Sequence, residues 1–191
     1  MGKLAVFNSV TVDGYFSGVG GDLTWAHANA DPEWNAFVSE NASGGGTLLF
    51  GRITYDMMAS FWPTPAAMES MPVVAKGMNE LPKVVFSRTM ERAEWNNTRV
   101  VNGDIAAEVR SMKKEPDADL VIMGSGSIVS QLAQEGLIDS YQIVLSPVVL
   151  GRGRTMFEGI RDQFKLRLIG TRSFRNGNVL LDYEPDELSR G

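Results

Sequence analysis

Short apolar runs rich in β-branched residues recur along this chain, and most stop at a glycine or a small polar turn. Residues 4–12 read L-A-V-F-N-S-V-T-V and close on Asp13-Gly14. Similar runs occupy 47–50, 83–87, 99–102 and 120–123. Runs of this length and composition predict buried strands. Between them lie segments with helical spacing. Trp34, Phe37 and Val38 follow Asp31-Pro32-Glu33, a capping acid with proline in the first turn. Ile53, Tyr55 and Met58 follow Gly51-Arg52; Asp104 opens a helix to about Lys114; Ile128, Val129, Leu132 and Ala133 form a stripe that closes at Gly136. Gly44 to Gly46 stops the first helix, and Phe61-Trp62-Pro63 with Pro65 ends the second. From residue 139 onward strand follows strand: 139–145, 166–174 and 179–183, the last two joined through Asn176-Gly177, a hairpin signal. The order predicts an α/β three-layer sandwich. Its central sheet is mixed and mostly parallel, with helices on both faces and an antiparallel C-terminal hairpin.

With 191 residues, 43% of them apolar, the chain can bury a core as one domain, 1–191. There is no cysteine, which excludes disulfides, thiolate nucleophiles and cysteine-held metals. One histidine, His27, excludes a two-histidine metal centre, so no metal is expected. The net charge of −5 and the lack of a basic stripe argue against nucleic acid as a partner. No long apolar segment or cleavage signal opens the chain, and no stretch is long enough for a membrane span, so a cytoplasmic protein is expected.

Three strand-to-loop junctions have the makings of an anion site. Gly51-Arg52-Ile53-Thr54 joins a close-approach glycine to a helix start, a guanidinium and a hydroxyl. Ser87-Arg88-Thr89 ends a strand with a hydroxyl and a guanidinium that suit a phosphate monoester. Gly124-Ser125-Gly126-Ser127 opens a helix with small residues. Each alone reads first as an ordinary turn or helix entry. Together they lie where open α/β sheets bind ligands, beyond the carboxyl ends of strands. The dinucleotide fingerprint G-x-G-x-x-G is incomplete, because Val129 stands at its third glycine.

Six motifs follow one another: T-V-D-G-Y-F, G-x-L-T-W, G-R-I-T-Y-D, V-V-F-S-R, M-G-S-G-S-I and S-P-V-V-L-G-R-G. Their order and spacing resemble the dihydrofolate reductase-like family. The nearer branch is the C-terminal reductase domain of the bifunctional riboflavin-biosynthesis protein RibD and its free-standing relatives. The resemblance runs from Lys3 to about Pro185. It implies NADPH as cofactor, with Gly51, Arg52 and Thr54 facing the phosphates and Ser87 and Arg88 at the adenosine 2′-phosphate. Gly124, Ser125, Gly126, Ser127 and Ile128 would line the pyrophosphate. The nicotinamide would lie between the end of the first strand, near Thr11 and Asp13, and the loop carrying Trp25. A homodimer is expected too, with Ile143, Leu145, Val148 and Val149 on an open sheet edge.

The substrate wall leaves alternatives open. Asp13 reads as a catalytic acid or as the turn residue before Gly14. Asp31 reads as the helix-borne acid of folate reductases or as a plain N-cap, and Glu33 as its neighbour on the helix dipole. Trp25 and His27 form a lid or an exposed loop. Phe61, Trp62 and Pro63 line a pocket or fill core. Arg152 and Arg154 meet a phosphorylated substrate or make a solvated turn. Leu23-Thr24-Trp25 departs from the L-P-W of true dihydrofolate reductases. The expected function is NADPH-dependent hydride transfer to a small heterocycle or ribosylaminopyrimidine-like substrate. The alternatives are a non-catalytic nucleotide-binding module and a true dihydrofolate reductase.

Overall fold

The computed structural model describes residues 2–27, 31–116 and 118–186. Eight strands form one sheet: β1 (Leu4–Thr11), β2 (Thr47–Gly51), β3 (Lys83–Phe86), β4 (Thr98–Val101), β5 (Leu120–Met123), β6 (Ser140–Ser146), β7 (Leu166–Ser173) and β8 (Val179–Pro185). Their order across the sheet is β4-β3-β2-β5-β1-β6-β8-β7. The first six are parallel; β8 runs antiparallel to β6, and β7 antiparallel to β8. This is the predicted mixed sheet with its C-terminal hairpin.

Among the described residues six α-helices cover the two faces: α1 (Pro32–Ala42), α2 (Arg52–Phe61), α3 (Pro65–Ser70), α4 (Pro72–Glu80), α5 (Ile105–Met112) and α6 (Gly126–Gln134). Strand alternation divides the core. Val84 and Phe86 pack with Leu49, Ile122 and the inner faces of α5 and α6. Their neighbour Val85 points the other way, with Leu48, Phe50 and the buried residues of α2, α3 and α4. A third cluster joins α1 to the hairpin. Trp34 meets Phe174 edge-on at 5.0 Å between ring centroids, and Arg172 lies over the Phe174 ring at 4.7 Å.

Helices α3 and α4 lie where the sequence reading had only a proline-rich stop. Both begin with proline at the first turn, and Thr64 caps α3 by accepting from the Ala67 amide at 3.3 Å. These prolines open helices rather than end one, since the missing N–H is an orphan at that position anyway. Trp62 belongs to the core here, with its ring N–H directed at Met58 sulfur and its carbonyl held by Asn79, while Phe61 is exposed. Lys83, 1% exposed, points its ammonium back at the end of α4 and donates to the carbonyls of Met78, Asn79 and Leu81 at 2.8, 3.2 and 2.6 Å. It thereby satisfies acceptors that every helix leaves open at its carboxyl end.

One premise of the dimer expectation is corrected. Strand β6, with Ile143 and Leu145, is flanked by β1 and β8 and is not an edge. The edges are β4 and β7, and on β7 Leu168 and Ile169 are about half exposed.

Candidate functional site

The carboxyl ends of β2 through β5 and the middle of β1 open into one cleft of about 1380 Å³. Its floor is built by a lattice of short polar contacts between the junctions after β2 and β5. The Gly51 amide donates to Ser125 Oγ at 2.6 Å. The Ser125 amide donates to Thr54 Oγ1 at 3.1 Å, and the two hydroxyls lie 2.9 Å apart. Asn8, buried in the middle of β1, accepts from the Gly124 amide at 2.6 Å and sends its own amide toward Met156 sulfur. Gly124 has φ +68° beside the left-handed Ser125, φ +55°. A Cβ on Gly124 would lie 2.6 Å from Thr54 Cγ2, so the glycine is needed for packing as well as for its backbone.

All ten residues expected at the cofactor line this cleft: Gly51, Arg52, Thr54, Ser87, Arg88, Gly124, Ser125, Gly126, Ser127 and Ile128. The Gly51 amide and the Ser125 hydroxyl are committed to bracing the loops, while the Thr54 oxygen accepts there and keeps its own proton. The donors left for an anion are that proton and the opening amides of α2 and α6, which a helix start leaves without intrahelical acceptors. Ser87 Oγ accepts from the amides of Thr89 and Met90 at 3.2 and 3.0 Å, which fixes the turn and leaves its hydroxyl proton to donate outward. Arg52 is paired with Asp56 at 3.0 Å. Arg88 makes no ion pair among the described residues.

Of the three candidate acting residues, the structure brings only Trp25 to the cleft. Trp25 is buried, and its ring N–H donates to the Asp22 carbonyl at 3.2 Å. Asp22 in turn accepts from the amide and hydroxyl of Thr24, which holds its carboxyl below the usual value. The loop carrying Trp25 is therefore a wall with internal bonds. The His27 side chain lies outside the described residues.

Asp13 lies elsewhere. Its carboxylate accepts from Thr11 Oγ1 at 2.6 Å, from the Gly151 amide at 2.7 Å and from the Leu150 amide at 3.1 Å. These bonds hold it below the ordinary carboxylate value, the Thr11 hydroxyl acting most strongly. They begin a seam between residues 12–17 and 148–154. Val12 donates to the Val148 carbonyl, and Ser17 bridges Arg154. A Cβ on Gly153 would sit 2.2 Å from the Ser17 carbonyl oxygen, so the seam is closed by contact. It covers the last residues of β1. The cleft consequently meets β1 at Phe7, Asn8 and Ser9 rather than at Thr11 and Asp13.

Asp31 also lies away from the cleft. Its Oδ1 caps α1 by accepting from the Trp34 amide at 2.8 Å, while Oδ2 is buried with no hydrogen-bond partner among the described residues. Glu33 pairs with Arg172 at 3.5 Å on the hairpin side. Of the two arginines after β6, Arg154 lines the cleft and Arg152 does not. Residues the sequence reading passed over include Asn8, Phe16, Ser17, Met57 and Glu158. Asn8 alone carried a signal: an amide inside an apolar strand must find partners. Among the described residues no group of three or more His, Asp or Glu is placed to hold a metal, and no helix is long and apolar enough to cross a membrane.

The fold recurs in solved structures. A candidate riboflavin biosynthesis protein of Shewanella sp. PV-4 superposes with a TM-score of 0.74 at 22% identity, covering 97% of this chain and 99% of that one. A diaminohydroxyphosphoribosylaminopyrimidine deaminase/5-amino-6-(5-phosphoribosylamino)uracil reductase of Thermotoga maritima gives 0.68 at 16% identity, with 97% of this chain matching 57% of that longer one. In sequence, the uncharacterized protein YyaP of Bacillus subtilis is 29% identical over 175 residues, covering 92% of this chain and 90% of its own. The model of the RibD C-terminal domain matches residues 3–180, and the chain belongs to that family.

Proposed function

We propose that this chain is an NADPH-dependent reductase of a small unsaturated ring. The observation that carries the reading is the cleft, where two helix starts, an Arg88 with no ion pair among the described residues and an aromatic wall share one space. The cleft residues fit the cofactor. Gly124 and Gly126 permit close backbone approach, the α2 and α6 amides offer donors to the pyrophosphate, and Arg88 with the Ser87 hydroxyl offers a monoester site. Bound there, NADPH supplies a hydride that, with one proton from water, reduces one C=N or C=C bond and leaves NADP⁺. The protein's part is orientation and exclusion of water, through the loop from Val19 to Trp25 and through Phe16. Neither Asp13 nor Asp31 reaches the cleft, so in this reading water supplies the proton.

Arg88→Ala tests the cofactor. Charge-assisted bonds to a phosphate contribute roughly 1.5–3 kcal/mol. NADPH affinity should then fall about 10- to 100-fold, and NADH affinity hardly at all. Equal losses for both would remove Arg88 from the 2′-phosphate. A second reading, a nucleotide-binding module without turnover, is favoured by the engagement of both carboxylates that line the cleft among the described residues: Asp104 caps α5 and Glu158 holds Arg154. NADPH binding with no oxidation across a panel of pterins, pyrimidine ribosides and quinones would select it.

A further inference from the structure

The two ends of the cleft differ in how their cations are engaged. At the end nearest β3 and β4 lie Arg88, without an ion-pair partner among the described residues, Arg52, paired with Asp56, and Asp104, whose carboxylate caps α5. At the end nearest β1 the walls are Phe7, Phe16, Leu23 and Trp25, and the charged residues are Arg154 and Glu158. These two are joined: Arg154 Nε and Nη2 both donate to Glu158 Oε2 at 3.1 Å. The backbone fixes where the pair stands, because Arg154 is bridged to Ser17 and the preceding Gly153 abuts the Ser17 carbonyl.

An exposed pair of this kind stabilises the fold little. Its consequence is for ligands. A phosphate drawn to Arg154 would lie beside the Glu158 carboxylate, and the net charge it meets is zero. The family's fold is shared with an enzyme whose reductase substrate, by its name, carries a phosphoribosyl group. A phosphate at the far end of such a substrate calls for an uncommitted cation, and among the described residues this end of the cleft has none.

We infer that the substrate end takes an uncharged, flat ring without a phosphate, and that Glu158 sets this preference by occupying Arg154. The inference rests on the reductase reading for which end receives the substrate. Four of the walls named above are apolar and three are aromatic, which suits the faces of a heterocycle or conjugated ring. The polar neighbours Ser9 and Ser17 can meet ring carbonyl or imino groups without any charge on the ligand.

The test uses isothermal titration in two stages. NADP⁺ is titrated first. Failure to bind would sink the reductase reading, and with it the assignment of ends. The NADP⁺-saturated protein, its phosphate sites filled, is then titrated with uridine and with uridine 5′-monophosphate. Wild type should bind uridine at least as tightly as the monophosphate. Glu158→Gln should gain about tenfold for the monophosphate and leave uridine unchanged, since one repelling charge at contact distance has been removed. Glu158→Gln with an unchanged monophosphate affinity would overturn the role given to Glu158. A tenfold preference of wild type for the monophosphate, lost in Arg154→Ala, would overturn the inference, as would no binding of either ligand. Unfolding midpoints of both variants, expected within a degree or two of wild type, show that a change in binding is not a change in fold.

Discussion

Replacing Gly124 by alanine separates two costs that the structure superimposes at one atom. The first is conformational. At φ +68° an added Cβ crowds the backbone, which costs roughly 1–2 kcal/mol for an L-residue. The second is steric. The new Cβ would lie 2.6 Å from Thr54 Cγ2 and 3.1 Å from Thr54 Oγ1, and overpacking of this kind costs about 1–3 kcal/mol. Together they predict a loss of about 2–5 kcal/mol, read from urea unfolding with an unchanged slope. Thr54→Ser deletes Cγ2 but keeps the oxygen that accepts from the Ser125 amide. Gly124→Ala in the Thr54→Ser background should therefore cost about 1–2 kcal/mol, leaving a coupling of similar size in the double-mutant cycle. Gly103 is the control: it lines the same cleft, has open space around its Cβ position and no positive φ, and its alanine variant should stay within about 0.5 kcal/mol. A coupling near zero would refute the claim that the junctions after β2 and β5 are in contact. A Gly124→Ala loss under 0.5 kcal/mol would refute the strain as well.

Lys83→Met removes the donor to three carbonyls at the end of α4 and should cost about 1–3 kcal/mol in the same assay. Burial lowers the Lys83 ammonium from 10.5 to about 8. The unfolded chain therefore binds more protons than the folded one between those values. Wild-type stability should rise across that window as pH increases, a rise absent in Lys83→Met; a parallel profile for the two proteins would contradict the burial. Asp13 shows the opposite end of the scale. Its carboxyl is held below 3.8, so its contribution is complete above that value and is lost as pH falls through the lower folded value. Asp13→Asn should flatten the acid limb of the stability curve and leave NADPH affinity unchanged; a large loss of NADPH affinity would place Asp13 at the cofactor after all. If the chain pairs with itself, the half-exposed Leu168 and Ile169 on the edge strand β7 are the contact, and Ile169→Lys should convert a dimer to monomer by light scattering. A dimer mass retained in that variant would exclude this edge.

The class of the sheet was legible because alternation of apolar runs and helical stripes points to parallel strands, and the Asn176-Gly177 turn marked the hairpin; the order of the strands was not. The pair α3 and α4 was not legible by the same reasoning. Pro63 and Pro65 read as punctuation and Pro72 carried no reading; only the capping bond from Thr64 and the burial of Ala67, Val74, Ala75 and Met78 make Pro65 and Pro72 helix starts. Local sequence does not record what a segment will pack against. Lys83 shows this from the other side: a lysine beginning a strand reads as exposed, yet the end of α4 gives it three acceptors and Trp95 gives it a ring at 4.5 Å.

The site divides along the same line. Glycines at strand ends were readable as places of close approach, and ten of them and their neighbours do meet in one cleft. Which donors remain free was not readable, since the Ser125 hydroxyl serves either a ligand or Thr54, and only the 2.9 Å between the two oxygens decides. Asp13 is the sharper case. A carboxylate just past a central strand is equally suited to hand a proton to a substrate and to receive the amides of a neighbouring loop. The deciding partner, residues 148–154, lies about 137 positions away in sequence, and Gly153 is what allows it to come near. Once Leu150 and Gly151 donate to Asp13, the carboxylate is kept ionised and turned from the cleft, a poor proton donor at neutral pH. The same seam carries Arg154 to the cleft wall beside Glu158. An acid read as catalytic thus acts on the site through the loop it holds. Asp13→Asn should accordingly alter uridine binding at the β1 end of the cleft before it alters NADP⁺ binding at the other. The reverse order would mean that the seam does not shape the substrate wall.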